Sequence, residues 1–596
     1  MQILLNGLIV GSAYALMGVG FSLIYSTVRY FNLAYGVIAV WGVYVLLFLM
    51  ERFAVPFPIA VFLGALVSIV FGLGSYVLLF RPMYRRKSSP LVIMVASFGL
   101  LIILQNFASL VWGDTTKSVS LSDQILKGYE FFGMFITANQ LAIAVTAVLM
   151  VVLLELFLQK TKIGMAIRAI GDNQELTKVL GIKTETIILW VYVLGSFLSA
   201  VSASMYALEI GVKPTYGVFF VIKAFIAAII GGLGSVRGTL LGGLILGIAE
   251  NFGVYVFGGQ WQDTVAFVLL AVVLLWKPEG VFSKRRLVSI EGFSEFPELS
   301  NFKILTVLLD YLLHISILAA IYSLAVLGQN YASGFTGLVS LNHGAFMGMG
   351  AYGLAYFMKT QGLSYPVSFF LAALITAIVA WIVSFPLLKL KDDAFVLVSF
   401  GFSFIGYNVF LNWQSVTNGA IGLKGIALPE FVKTWENPKL GFFIFILAVL
   451  LVSLWSLKKI LDSSYGVIIR ATRENQRVTQ VSGHDADGYR RSVFVLSSVF
   501  ASFAGSFLAS HISAIDPLLF QYHLSVLLLV MAILGGLASL RGSVLGAVLL
   551  ILLPEALRFL GLPSSVLAQC QQISYGMILI LLMYWRPKGL LGEYSI

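Results

Sequence analysis

The sequence predicts an all-α integral membrane protein built from two homologous multi-helix units, with about 16–19 membrane crossings in total. Three observations carry this. Of 596 residues, 59% are hydrophobic and only 11% are charged, against roughly 25% charged in soluble domains. The apolar residues fall in runs of roughly 20, enough to cross a hydrocarbon core of about 30 Å. The chain also repeats itself once over nearly its whole length. So few charges could not cover a soluble surface, and disorder is excluded because it requires low hydrophobicity.

In the first half the spans lie near 3–28, 31–50, 57–80, 90–112, 138–159, 186–208, 218–232, 238–258 and 262–276. The opening run has no basic segment before it and stays apolar too long for a signal peptide, so it reads as the first membrane helix. The Gly-rich stretch 31–44 is a candidate broken helix rather than a full crossing. Non-helical backbone is tolerated at membrane depth only where protein or water satisfies it.

The repeat rests on five blocks in the same order. Tyr14, Leu16, Gly20, Gly36, Gly42 and Tyr44 recur as Tyr322, Leu324, Gly328, Gly344, Gly350 and Tyr352, at an offset of 308. Ser97-Phe98-Gly99 and Asn106 recur as Ser399-Phe400-Gly401 and Asn408, at 302. Gly164, Arg168, Ala169, Asn173, Gln174 and Gly181 recur as Gly466, Arg470, Ala471, Asn475, Gln476 and Gly483, also at 302. GGLGSVRG at 231–238 answers GGLASLRG at 535–542, and Trp276, Pro278 and Gly280 answer Trp585, Pro587 and Gly589. The polar, charged segment 281–303 has no long apolar run and reads as a linker. The expected organisation is therefore a unit at 1–280, a linker at 281–303 and a unit at 304–596.

A net charge of +11 would raise nucleic acid as a partner of a soluble protein. In a membrane protein it fits basic cytoplasmic loops instead, and no nucleic-acid partner is expected. The segments 81–87, 160–185, 281–303 and 458–491 carry four, five, four and seven basic residues. Taking them as cytoplasmic puts the first N-terminus outside. The single cysteine, Cys570, rules out an internal disulfide and a cysteine-based metal cluster. No histidine pair has ligand spacing, so neither a metal nor another cofactor is expected.

The segments 160–186 and 462–491 are charged and over twenty residues long, and each holds a short amphipathic helix between two glycines. A mere connection needs only a few residues. Ile163, Ile167, Ile170 and Leu176 form a candidate apolar stripe, and Arg168, Asp172, Glu175 and Lys178 are spaced for local ion pairs. A segment of this kind, present twice, suits docking by a cytoplasmic partner.

At these residues the chain resembles a known family. The block G-x-x-x-R-A-x-x-(D/E)-N-Q followed by Gly is similar to the cytoplasmic coupling loop of ABC-importer permeases of the branched-chain amino acid class. GGLGSVRGTLLGG (231–243) and its copy GGLASLRGSVLGA (535–547) resemble that family's other diagnostic segment. The first half resembles the LivH type. The second resembles the LivM type, through 337–352, 388–402 and 554–560. The resemblance implies a permease of the bacterial or archaeal cytoplasmic membrane, with both permease types fused in one chain. It implies two ATPase subunits docked on the two coupling loops, and a substrate-binding protein on the outer face. The segments 113–137 and 412–440 are the candidate contacts there, with an ordinary solvated loop as the plain alternative. Membrane lipid surrounds the spans. No G-x-x-x-x-G-K-(S/T) phosphate loop occurs, so the chain is not expected to be an enzyme. The implied coupling residues are Gly164, Arg168, Ala169, Asp172, Gly181, Gly466, Arg470, Ala471, Glu474 and Gly483. For Asp172 and Glu474 a local salt bridge or cap is an equal alternative.

Gly99 and Asn106, repeated as Gly401 and Asn408, lie seven residues apart on nearly one helical azimuth. They suit either interhelical packing or the lining of a translocation path. That path is expected at the interface of the repeats. Glu250 and Glu555 stand inside apolar runs, where acids are costly and are functional candidates. His343 aligns with Tyr35 and is expected to make a local hydrogen bond. The substrate implied is a branched-chain or other hydrophobic amino acid, with urea, amides or another small organic solute as alternatives. An ion-coupled secondary transporter is the rival class, since internal repeats and broken helices fit it too.

Overall fold

A computed structural model of the chain describes residues 2–86, 88–118, 128–131, 134–174, 177, 180–276, 307–390, 392–558, 564–586 and 589–592. They fall into two compact units. One comprises Met1–Ile290 with Pro563–Tyr584, the other Glu291–Leu562 with Trp585–Ile596. The linker expected at 281–303 lies outside the described residues.

The first unit runs through α1 (Gln2–Val28), α2 (Tyr35–Phe53), α3 (Phe57–Gly74), α4 (Pro90–Trp112), α5 (Ala138–Lys160), α6 (Lys162–Asp172), α7 (Thr184–Ile210), α8 (Tyr216–Gly231), α9 (Val236–Phe257) and α10 (Gln262–Trp276). α3 continues without interruption through a π-helical turn, Ser75–Phe80, into Arg81–Arg85. An antiparallel hairpin, Gly128–Phe131 with Met134–Thr137, precedes α5.

The most apolar window of α1 is 89% buried, and that of α5 only 28%. α1 is the core of the unit, and α5 is a wall whose Val145, Val148 and Val152 stay exposed, as a lipid-facing helix requires. Small residues let α1 and α9 touch. A Cβ on Gly247 would lie 2.4 Å from Gly11 Cα, and one on Gly243 would lie 2.4 Å from Ala15 Cα. This is the close small-residue packing that membrane helices use where no hydrophobic force drives them together.

The second unit repeats the order as α11 (Val307–Thr336), α12 (His343–Lys359), α13 (Tyr365–Leu387), α14 (Asp392–Asn412), α15 (Pro438–Leu461), α16 (Ser464–Glu474), α17 (Gln476–Val481), α18 (Ala486–Ile512), α19 (Tyr522–Gly535) and α20 (Leu540–Arg558). Leu423–Lys424 pairs antiparallel with Ala514–Ile515. The last helix is α21 (Ser564–Trp585). All of it but its final residue, Trp585, clusters with the first unit, because Gly99 of α4 meets Gly576 backbone to backbone.

Among the described residues, twelve helices are long and apolar enough to cross a membrane, and three shorter apolar helices accompany them. One of the three is the 16-residue α8. At 1.5 Å per residue it spans only about 24 Å, short of a hydrocarbon core of about 30 Å. The run 218–232, taken as a crossing from hydropathy, is thus a half-helix that turns at Gly232. The chain also breaks after α1. Residues 29–34 are non-helical, with Tyr30, Phe31, Asn32 and Ala34 buried, and residues 337–342 form the same buried break after α11. The broken helix expected within 31–44 is therefore interrupted at its beginning, and Tyr35–Phe53 is continuous.

Candidate functional site: the coupling helices and the inner ends of the first helices

Each candidate coupling helix, α6 and α16, is built by its repeated glycines. Thr161 caps α6, its hydroxyl accepting from Gly164 N at 2.9 Å. Gly164 presses on the end of α5, where a Cβ would lie 2.3 Å from Phe157 O. Gly466 does the same in the second unit, 2.2 Å from Leu461 O. Ile167 and Ile170 are buried, as is Ile469 on α16. The apolar stripe therefore faces the protein. Ile163 is half-buried, while Leu176, Glu175 and Lys178 lie outside the described residues. The carbonyls of Ala169 and Ala471 accept from Asn173 N and Asn475 N, which close the two helices. Gly181 and Gly483 then turn the chain at φ 79° and 85°, a left-handed conformation that costs glycine least.

The two repeated arginines differ. Arg168 is exposed, with no partner for its guanidinium among the described residues. Arg470 is half-buried and donates from Nη2 to Leu461 O at 2.9 Å, fastening α16 to the end of α15. Asp172 and Glu474 are exposed at the helix ends. Arg29, just past α1, donates to Gly171 O at 2.5 Å, and Arg473 on α16 donates to Gly334 O of α11.

The second diagnostic block lands on the same helix. In the first unit Gly234 N donates to Ser22 Oγ of α1 at 2.8 Å. In the second unit Ala538 N donates to Asn330 Oδ1 of α11 at 3.0 Å. The Asn330 amide nitrogen also donates to Gly536 O, Ser539 O and Ser543 Oγ, at 3.0, 3.0 and 2.8 Å. Within each unit the segment carrying α6 or α16 and the Gly-rich block thus converge on the C-terminal end of the first helix. Ser22 and Asn330 stand at the 308 offset, but nothing in an isolated polar residue marks what it holds.

The breaks after the first helices are held by repeated serines. Leu33 N donates to Ser97 Oγ, and Leu341 N to Ser399 Oγ, both at 2.9 Å. In the second unit Ser403 Oγ donates to Leu341 O at 2.5 Å, and Gly344 N donates to Ser525 Oγ at 2.8 Å. His343 Nδ1 lies 3.3 Å from Ser340 Oγ, the local hydrogen bond expected of it.

The candidate path residues sit on the helices carrying Ser97 and Ser399. Gly99 packs on α21, and the Asn106 amide donates to Gln572 Oε1 at 3.0 Å and to Ile102 O at 2.8 Å. Asn408 donates to Phe404 O at 3.0 Å within its own helix, and Gly401 is buried. Gly99 and Asn106 thus both touch α21.

Glu250 is fully buried and forms an ion pair with Lys223 of α8, itself 2% exposed. Tyr14 OH and Gln262 Nε2 also donate to its carboxylate, at 3.0 and 3.2 Å. Lys223 was not singled out from the sequence, because one lysine in an apolar run names no partner 27 residues away. Glu555's side chain lies outside the described residues. Among the described residues no group of three or more His, Cys, Asp or Glu could hold a metal ion.

The profile of the family described as "Branched-chain amino acid transport system / permease component" matches the chain twice, over residues 3–274 and 311–584. The chain belongs to this permease family. It is a multi-pass membrane protein, and a permease component rather than an ATPase. The high-affinity branched-chain amino acid transport system permease protein BraD of Pseudomonas aeruginosa is 36% identical over 299 residues, spanning 48% of this chain and 96% of its own length. The permease protein LivH of Escherichia coli is 31% identical over 296 residues, 48% of this chain and 96% of its own. The permease protein LivM of Salmonella typhimurium is 29% identical over 300 residues, 46% of this chain and 69% of its own. Each such permease corresponds to about half of the present chain.

Proposed function

We propose that the chain supplies two fused permease halves of an ATP-driven importer. It would move branched-chain or other hydrophobic amino acids received from an extracytoplasmic binding protein. The observation that carries this is the tandem family match, one copy in each sequence half. Two ATPase subunits dock on α6 and α16, one per unit. Arg168, with exposed Met165 beside it, and Val467 on α16 are the groups that meet them. Gly164, Ala169, Gly181, Gly466, Ala471 and Gly483 shape the docking segments, and Arg470, Asp172 and Glu474 hold their ends. Gly99 and Asn106 keep the path-forming helices in register, and Gly401 and Asn408 hold the matching places in the second unit. The outer segment of the second unit, with exposed Trp413, Ile421, Phe431 and Trp435, is the surface offered to the binding protein.

Reconstitution into vesicles with the partner ATPases and binding protein tests this. Leucine uptake should require ATP inside the compartment where the ATPases dock. Uptake driven by a proton or sodium gradient without ATP would overturn the reading. Transport of urea or an amide in place of leucine would overturn the substrate assignment alone.

A further inference from the structure

Two positions exchange residues between the units. Position 29 corresponds to 337, at the offset of 308, and position 171 corresponds to 473, at 302. The first unit has Arg29 and Gly171, and the second has Gly337 and Arg473. The contact survives the exchange. Arg29 reaches from the end of α1 to Gly171 O on the coupling helix. Arg473 reaches from the other coupling helix to Gly334 O at the end of α11.

A plain helix cap does not account for this. A cation at a helix C-terminus is favourable anywhere. Here the helix that receives the guanidinium changes, from the coupling helix in one unit to the first helix in the other. The pair of helices that is tied stays the same. Backbone geometry points the same way. Residues 29 and 337 both turn left-handed, at φ 60° and 70°. Glycine takes this conformation freely, whereas arginine is disfavoured in it. Gly171 is not needed for space, since a Cβ there would lie 3.7 Å from Ser26 O, an ordinary contact. The arginine at 29 is thus kept against its backbone preference, in the unit whose coupling helix has no arginine at the matching place.

We propose that Arg29 and Arg473 are positioning residues that transmit coupling. Each ties its coupling helix to the first helix of the unit, directly before the buried break held by Ser97 or Ser399. The inference rests on the ATP-driven function proposed for the chain. A coupling helix displaced by its ATPase would draw on residue 29, or on Gly334, and so on residues 30–34 or 337–342.

The test is a swap in the full chain with its ATPases. Arg29→Gly should leave ATPase co-elution intact and reduce uptake per ATP about fivefold or more, the usual lower reach of an energetic coupling. It should also speed amide hydrogen exchange in Lys162–Asp172. Arg29→Gly combined with Gly171→Arg should return both readouts to within about twofold of wild type, less than the smallest usual coupling effect. Gly337→Arg with Arg473→Gly is the same test in the second unit, should the first pair fail to insert. Wild-type uptake per ATP in Arg29→Gly would overturn the proposal. So would a loss that neither swap restores. Hydrogen exchange separates the two ideas: loss and rescue of protection in Lys162–Asp172, without ATP-dependent uptake in wild type, would sink the ATP-driven function and leave the tie standing.

Discussion

The Lys223–Glu250 pair is the most sharply testable energetic feature of the first unit. Both side chains are out of contact with solvent, at 2% and 0% exposure. Removing one partner of a buried pair typically costs about 3–5 kcal/mol, because the other charge stays buried. The surroundings rank the two truncations. Lys223→Met leaves the carboxylate with Tyr14 OH and Gln262 Nε2 still donating. Hydrogen bonds to a charged group are worth about 1.5–3 kcal/mol each, so this variant should sit near 3 kcal/mol. Glu250→Leu leaves an ammonium without its carboxylate, beside the Phe219 and Tyr14 rings, 4.9 and 5.7 Å away. A ring contributes about 2 kcal/mol when desolvated, so the loss should approach 5 kcal/mol. The double variant removes both charges and should lose less than the two singles together, because replacing a buried pair by apolar groups is often neutral. Thermal inactivation of purified protein reads this as midpoint drops, at roughly 2–4 °C per kcal/mol for a domain of this order. A double-mutant cycle isolates the pair. Singles within about 2 °C of wild type, or a double equal to the sum of the singles, would refute the reasoning.

Other outcomes follow from single contacts. Arg168→Ala should lower ATPase co-purification with stability unchanged, whereas Arg470→Ala should also cost about 1 kcal/mol through the lost bond to Leu461 O; equal behaviour of both would show that their environments do not matter. Gly164→Val and Gly466→Val would drive a Cβ to 2.3 and 2.2 Å from backbone oxygens, so hydrolysis should lose its substrate stimulation while membrane insertion persists. Ser399→Ala leaves the Leu341 N–H without its acceptor and should cost about 1–3 kcal/mol, with Ser97→Ala milder because that bond is only partly buried. Hydrogen exchange at 30–34 and 337–342 reads both, and unchanged protection would count against the serine role. Cutting the gene within 281–303 and co-expressing the fragments should preserve uptake; paired but inactive fragments would give the linker a further duty.

Hydropathy located the helices well because the bilayer leaves a buried apolar chain little alternative. The runs 90–112 and 262–276 coincide with Pro90–Trp112 and Gln262–Trp276. The same measure cannot place a break whose residues are themselves apolar, so Phe31 and Ala34 fall inside the hydropathic run 31–50, and only the glycines of 31–44 point to a broken helix there. The repeated glycines of α6 and α16 stand out from their repetition, although the backbone contacts of Gly164 and Gly466 do not. Arg168 and Arg470 show the limit of a repeat: identical residues in matched places, one exposed and one bonded to its own chain. Lys223 and Arg29 stayed hidden because each takes its meaning from a residue distant in sequence.

The third span of the first unit carries the π turn Ser75–Phe80. That span runs 29 residues in the first unit, Phe57–Arg85, and 23 in the second, Tyr365–Leu387. The difference of six equals the fall in repeat offset, from 308 to 302, between the blocks on either side. A 23-residue helix is about 35 Å long and already outreaches a hydrocarbon core of about 30 Å. Six more residues add about 9 Å, which the bilayer has no room to hold upright. The surplus emerges on the basic side, where Arg81 and Arg85 close on Glu185 at 2.5 and 2.8 Å. The membrane has acted as a ruler on a duplicated chain: length could drift only past its edge, and there the added turn acquired charges and a partner.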